Sequence, residues 1–77
     1  MSSGLTPRER LIKARITLLR RHPFFGFLAM YLKFREGGVP TMGVDRDANL
    51  YYNPDFVETL DDQQLAATMA HEVLHLN

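Results

Sequence analysis

Near one end of the chain stands His71-Glu72-Val73-Leu74-His75. Two histidines four residues apart lie one turn apart on the same face of a helix. Imidazoles so placed can converge on one zinc ion, at about 2.0–2.1 Å each. Glu72 then points roughly 100° around the helix from His71, beside a metal rather than on it. A zinc-bound water would sit in that region, with its pKa lowered toward about 7. Glu72 is placed to take the proton of that water and deliver it to a leaving amine. The chemistry implied is hydrolysis of a peptide bond, with His71 and His75 as metal ligands, Glu72 as the catalytic acid/base and Zn2+ as the cofactor. The competing reading is a solvated polar face on which two histidines happen to be neighbours. A well-capped helix whose apolar stripe lies on a different face from the histidines favours the metal.

Other candidates carry less. The chain has no cysteine, so disulfides and thiolate metal sites are excluded and any metal must use imidazole and carboxylate. Asp45-Arg46-Asp47-Ala48-Asn49 imitates the opening of a calcium loop. That loop needs Gly and Glu where this chain has Leu50 and Phe56, so calcium is rejected and the segment reads as a turn. Gly37-Gly38 lacks a phosphate-loop context and reads as a hinge. Ser2 and Ser3 lie in an expected disordered tail, which leaves no nucleophile. A catalytic zinc site needs three protein ligands and an open position. The remaining donors are His22 and the acids around Asp45 and Asp61, none at a ligand spacing.

The elements that must position the motif follow from periodicity and caps. Thr6-Pro7-Arg8-Glu9 announces a helix, with Thr6 as N-cap, Pro7 at the first position and Glu9 closing a capping box. Leu11, Ile12, Ile16 and Leu19 give its apolar stripe; Arg8, Lys13, Arg15 and Arg20 lie mostly off it, and Glu9 and Lys13 form an i,i+4 pair. Pro23 ends the helix by Arg21 or His22. "PFFG" reads as a turn. Leu28, Met30, Leu32 and Phe34 then alternate with Ala29, Tyr31, Lys33 and Arg35, which predicts a half-buried strand. Residues 41–44 and 50–52 predict two more strands in a hairpin, and residues 54–60 one helical turn with Phe56, Val57 and Leu60 inward. The last helix begins at Asp61 with Gln64 in a capping box, and buries Leu65, Met69, Val73 and Leu76. The fold class is α+β: an N-terminal helix, a small sheet of about three strands and a C-terminal helix carrying HExxH.

Seventy-seven residues make at most one small domain, marginal by itself without a staple. An apolar content of 45% and a charged content of 23% are those of a soluble globular chain. No apolar run approaches the ~20 residues of a membrane span and no signal peptide is visible, so a cytoplasmic location is expected. The zero net charge hides an asymmetry: residues 1–35 hold eight Lys/Arg against Glu9, or +7, and residues 36–77 hold Arg46 against eight acids, or −7. A basic arm raises the question of nucleic acid. The favoured explanation is that the two halves attract each other within one fold, or that the arm faces a neighbouring domain, because the first helix is amphipathic rather than densely basic.

"HPFFG", "LYYNPDFV" and "LDDQQLAATMAHEVLHLN" together carry a resemblance. From about Arg8 to Asn77 the chain resembles the zinc metallopeptidase domain predicted in bacterial and archaeal proteins ahead of a von Willebrand factor A-like domain. The resemblance implies a zincin-like fold, His71 and His75 as metal ligands and Glu72 as acid/base. It also implies a third ligand beyond the second histidine, so the chain is expected to be the N-terminal part of a longer protein and inactive in isolation. The expected partners are a peptide or protein substrate, aligned along a sheet edge supplied by residues 41–53, and the missing C-terminal region. Two rival readings stay open: a non-catalytic protein-binding module of the same fold, and a nucleic-acid module using the basic helix.

Overall fold

The Thr6 hydroxyl accepts from the Glu9 N–H at 3.2 Å and the Glu9 carboxylate accepts from the Thr6 N–H at 2.9 Å. This capping box opens α1, Pro7–Arg21. The computed structural model describes residues 4–76; residues 1–3 and residue 77, and with them the expectation placed on Ser2 and Ser3, lie outside it. After α1 come α2 (Pro23–Ala29), β1 (Lys33–Glu36), β2 (Met42–Val44), β3 (Asn49–Tyr52), α3 (Pro54–Glu58) and α4 (Asp62–Val73). The class is α+β, with helices and one three-stranded sheet in the order β1-β3-β2. β1 runs parallel to β3, and β2 and β3 form the expected antiparallel hairpin.

Of the strand expected over residues 28–34, only Lys33 and Phe34 are extended, as the start of β1. "PFFG" belongs to α2, which continues to Ala29, and a turn at Met30 and Tyr31 leads into β1. Pro23 therefore ends one helix and opens the next, since proline is tolerated at a first helical position. Gly26 is what allows it. A Cβ there would collide with the main chain of Leu18 and Leu19, so α2 lies closer to α1 than any other residue permits. Of the four expected core residues, Leu32 and Phe34 are buried, Leu28 is partly buried and Met30 is exposed. Packing against α1 overrides an alternation only a few residues long.

The α1 stripe is also rotated from expectation. Leu11, Ala14 and Leu18 face the core, Ile12 is partly buried, and Ile16 and Leu19 are exposed. The sequence holds two overlapping stripes, and the one containing small Ala14 wins because it lets neighbouring helices approach. From α4, Leu65, Met69 and Val73 are buried, and Leu76 packs partly against them. Phe34, Met42, Leu50 and Tyr52 line the buried face of the sheet. Val57 of α3 is fully buried, with Phe56 and Leu60 partly so.

Part of the charge asymmetry is met within the fold. The Arg10 guanidinium donates to the carbonyls of Val57 (3.0 Å) and Leu60 (2.6 Å) and to the Asp62 carboxylate (3.1 Å). Lys13 also reaches Asp62, at 3.1 Å, rather than pairing with Glu9, which is occupied in the cap. Arg8 donates to the Phe34 carbonyl and Arg15 to the Leu32 carbonyl, each at 3.1 Å, with the Arg15 guanidinium 4.6 Å from the centre of the Phe34 ring. Arginines that the periodicity placed mostly off the apolar stripe thus bind the start of β1 to α1. Hydrogen bonds from charged donors to carbonyl oxygens are among the stronger ones in a fold.

Candidate metal centre

The helix bearing the motif is fixed at its start. Asp61 accepts from the Gln64 N–H at 2.7 Å and Gln64 accepts from the Asp61 N–H at 2.9 Å, completing the predicted capping box. Lys13 first, then Arg10, hold the Asp62 carboxyl below its ordinary pKa, so it stays ionised at the positive end of the helix. Leu65, Met69 and Val73 then set the rotation of α4 about its axis by burying one face. His71 and Glu72 lie in the last turn. His75 lies just beyond Val73, in a turn closed by i→i−3 bonds: His75 N–H to the Glu72 carbonyl at 3.0 Å and Leu76 N–H to Val73 at 3.1 Å.

The two histidines come together. Nε2 of His71 and Nε2 of His75 are 3.4 Å apart, with ring centres 5.0 Å apart and planes inclined by 75°. Both are exposed and Glu72 is half-buried. A separation of 3.4 Å is long for a hydrogen bond between nitrogens, which prefers about 2.9–3.0 Å. Two ligands each about 2.0–2.1 Å from a tetrahedral metal are about 3.3–3.4 Å from each other. The separation of the pair equals the edge of such a tetrahedron, and imidazole nitrogens are a donor type that zinc accepts.

No third donor joins them among the described residues, where no cluster of three or more His, Asp or Glu is present. The candidates read from the sequence are committed elsewhere. His22 lies at the α1–α2 junction, its ring 6.5 Å from that of Phe25. Asp61 caps the far end of α4, about 15 Å from His71 at 1.5 Å per helical residue. Asp45 is held in the hairpin turn by the Asn49 side chain, the Asn49 and Asp47 N–H groups and the Tyr51 hydroxyl. The Asn49 contacts first of all bring its pKa down to about 2.

The sheet offers one open edge near this helix. Asn53 N–H donates to the Thr41 carbonyl and Asp45 N–H to the Asn49 carbonyl, so alternation in an antiparallel ladder turns the main-chain groups of Met42 and Val44 away from β3. Nothing among the described residues bonds to them there, and β2 packs against α4. The opposite edge is different. The Lys33 N–H donates to the Ala48 carbonyl just before β3 and the Gly37 N–H to Tyr52 in it, which turns the Phe34 carbonyl outward, and Arg8 takes it. Sequence reasoning missed this role of Arg8. The available signal was a cation three residues before a buried leucine at a helix start, which is too common to decode.

No helix of the described residues is long and apolar enough to cross a membrane. Among curated proteins and solved structures, nothing matches the chain. One family model, described as "Putative metallopeptidase domain", matches residues 6–77, which is nearly the whole sequence from the α1 cap to the final residue. The match covers well over half of the chain, and the chain belongs to that family.

Proposed function

We propose that this chain carries the HExxH part of a zinc peptidase site of zincin type, and that its substrate is an extended peptide. The observation that carries the reading is the 3.4 Å separation of the His71 and His75 Nε2 atoms. His71 and His75 hold the metal through these nitrogens. Bound there, zinc would lower the pKa of a water toward about 7 and polarise a carbonyl oxygen. Glu72, around the helix from both histidines and half-buried, takes the water's proton and returns it to the leaving amine. The third protein ligand comes from outside residues 4–76. The open edge of β2 binds the substrate main chain through the outward groups of Met42 and Val44, because on the β1 edge Arg8 occupies the outward Phe34 carbonyl.

The test is calorimetric titration of zinc into the wild type, His71→Ala, His75→Ala and Glu72→Gln. With only two protein ligands the wild type binds zinc weakly, since completing the shell supplies most of the affinity of a closed site. Loss of either histidine abolishes binding, and Glu72→Gln largely preserves it. When the third ligand is present in a longer chain, Glu72→Gln keeps zinc and loses hydrolysis. Zinc binding that survives loss of either histidine would refute the proposal.

A further inference from the structure

The helical hairpin α1–α2 exposes a surface that the metal site does not use. Phe24 is 70% exposed, Tyr31 62%, Phe27 57%, Ile16 and Met30 50%, and Leu19 39%. Two anchors place them side by side. Gly26 lies against Leu18 and Leu19, and Arg15 reaches the Leu32 carbonyl, so α2 and its following turn run back along residues 15–19. The Phe27 and Tyr31 rings meet edge to face at 5.6 Å. At 150–250 Å² per aromatic side chain, Phe24, Phe27 and Tyr31 alone leave roughly 300–500 Å² in water, already the size of the largest apolar patch on a soluble monomer.

Charge decides what fits this surface. Of the eight cations in residues 1–35, Arg8, Arg10, Lys13, Arg15 and Arg35 are engaged within the fold. The side chains of Arg20, Arg21 and Lys33 have no hydrogen bond or ion pair among the described residues; Lys33 alternates with buried Phe34 and so faces the far side of the sheet, while Arg20 and Arg21 lie in the segment that bears the apolar residues. That segment contains no acid: none occurs between Glu9 and Glu36. Exposed Phe, Tyr, Met and Arg without Asp or Glu is the composition of a protein–protein interface core. A second copy would bring the same arginines against these, and like charges facing each other oppose that pairing. Three free cations also fall short of the four to eight, roughly, that mark an anionic-lipid surface.

We infer that the α1–α2 surface docks a protein segment of acidic amphipathic character, its apolar side on Phe27, Met30 and Ile16 and its acids on Arg20 and Arg21 at the end of α1. The inference does not depend on the zinc site, and its test leaves that site intact. The probes are two synthetic helical peptides sharing one leucine face, the first with glutamates opposite and the second with lysines, followed by fluorescence anisotropy. The glutamate peptide binds at least about tenfold more tightly, and added salt weakens it. Phe27→Ser, and separately Arg20→Glu with Arg21→Glu, each lower its affinity about tenfold or more while circular dichroism and zinc binding stay unchanged. Equal binding of the two peptides, or no binding, overturns the inference. So does concentration-dependent self-association lost on Phe27→Ser, or capture of vesicles containing phosphatidylserine with no preference for the glutamate peptide.

Discussion

The two ends of α4 are built differently. At its start, Asp61 closes a capping box, Asp62 receives both Lys13 and Arg10, and Arg10 reaches on to the carbonyls of Leu60 and Val57. At its end, His71 and His75 are exposed, the helix loosens into i→i−3 bonds, and each histidine's near neighbour is the other. The first end joins α1, α3 and α4. The second presents nitrogens to whatever approaches. Stability and chemistry are thereby separated along one helix, with Leu65, Met69 and Val73 as the buried link that aims one from the other.

The separation is broken most severely through that link. Leu65 is fully buried, so Leu65→Ala should cost about 2–5 kcal/mol and leave little folded protein at room temperature, as read from urea unfolding. Arg10→Ala should cost about 2–3 kcal/mol, because its side chain is only 14% exposed and its removal strands two carbonyls and a carboxylate. At the other end, His71→Ala and His75→Ala should each shift stability by less than about 0.5 kcal/mol without metal, since both rings face solvent. Large losses there would mean that the histidine end supports the fold after all.

Acid provides a subtler comparison. Asp45 has a folded pKa of about 2, below its ordinary 3.8. A group depressed on folding contributes stability above its unfolded pKa and loses it as pH falls through the folded one. The contribution of Asp45 should therefore be complete above about pH 4 and disappear between about 3.8 and 2. Asp62 acts in the same direction. Asp45→Asn should flatten part of the decline in urea midpoint over that window. An unchanged decline would remove the hairpin turn from the account.

Much of this organisation was legible in the residues. Both capping boxes, the hairpin and the buried face of α4 follow from local chemistry, because a cap or a turn is decided by a few adjacent side chains. The histidine pair was legible for the same reason: a four-residue spacing on a helix needs no tertiary information. The readings that failed depended on distant partners. α2 forms because Gly26 admits the main chain of Leu19, and Ile16 is exposed because α1 turns Ala14 inward; neither fact is local. The roles of Arg8, Arg10 and Arg15 were invisible because their acceptors are carbonyl oxygens 17 to 50 residues away, and a carbonyl has no letter in a sequence.

The central claim is that His71 and His75 act as one ligand pair through Nε2. Nitrogen-15 chemical shifts of the two imidazoles, recorded while zinc is added, test it most directly. Nε2 of both rings should move together to the metal-bound range, with Nδ1 of both protonated and the same midpoint for each. If only one ring responds, or either ring binds through Nδ1, the 3.4 Å approach is not a metal edge and the account is wrong.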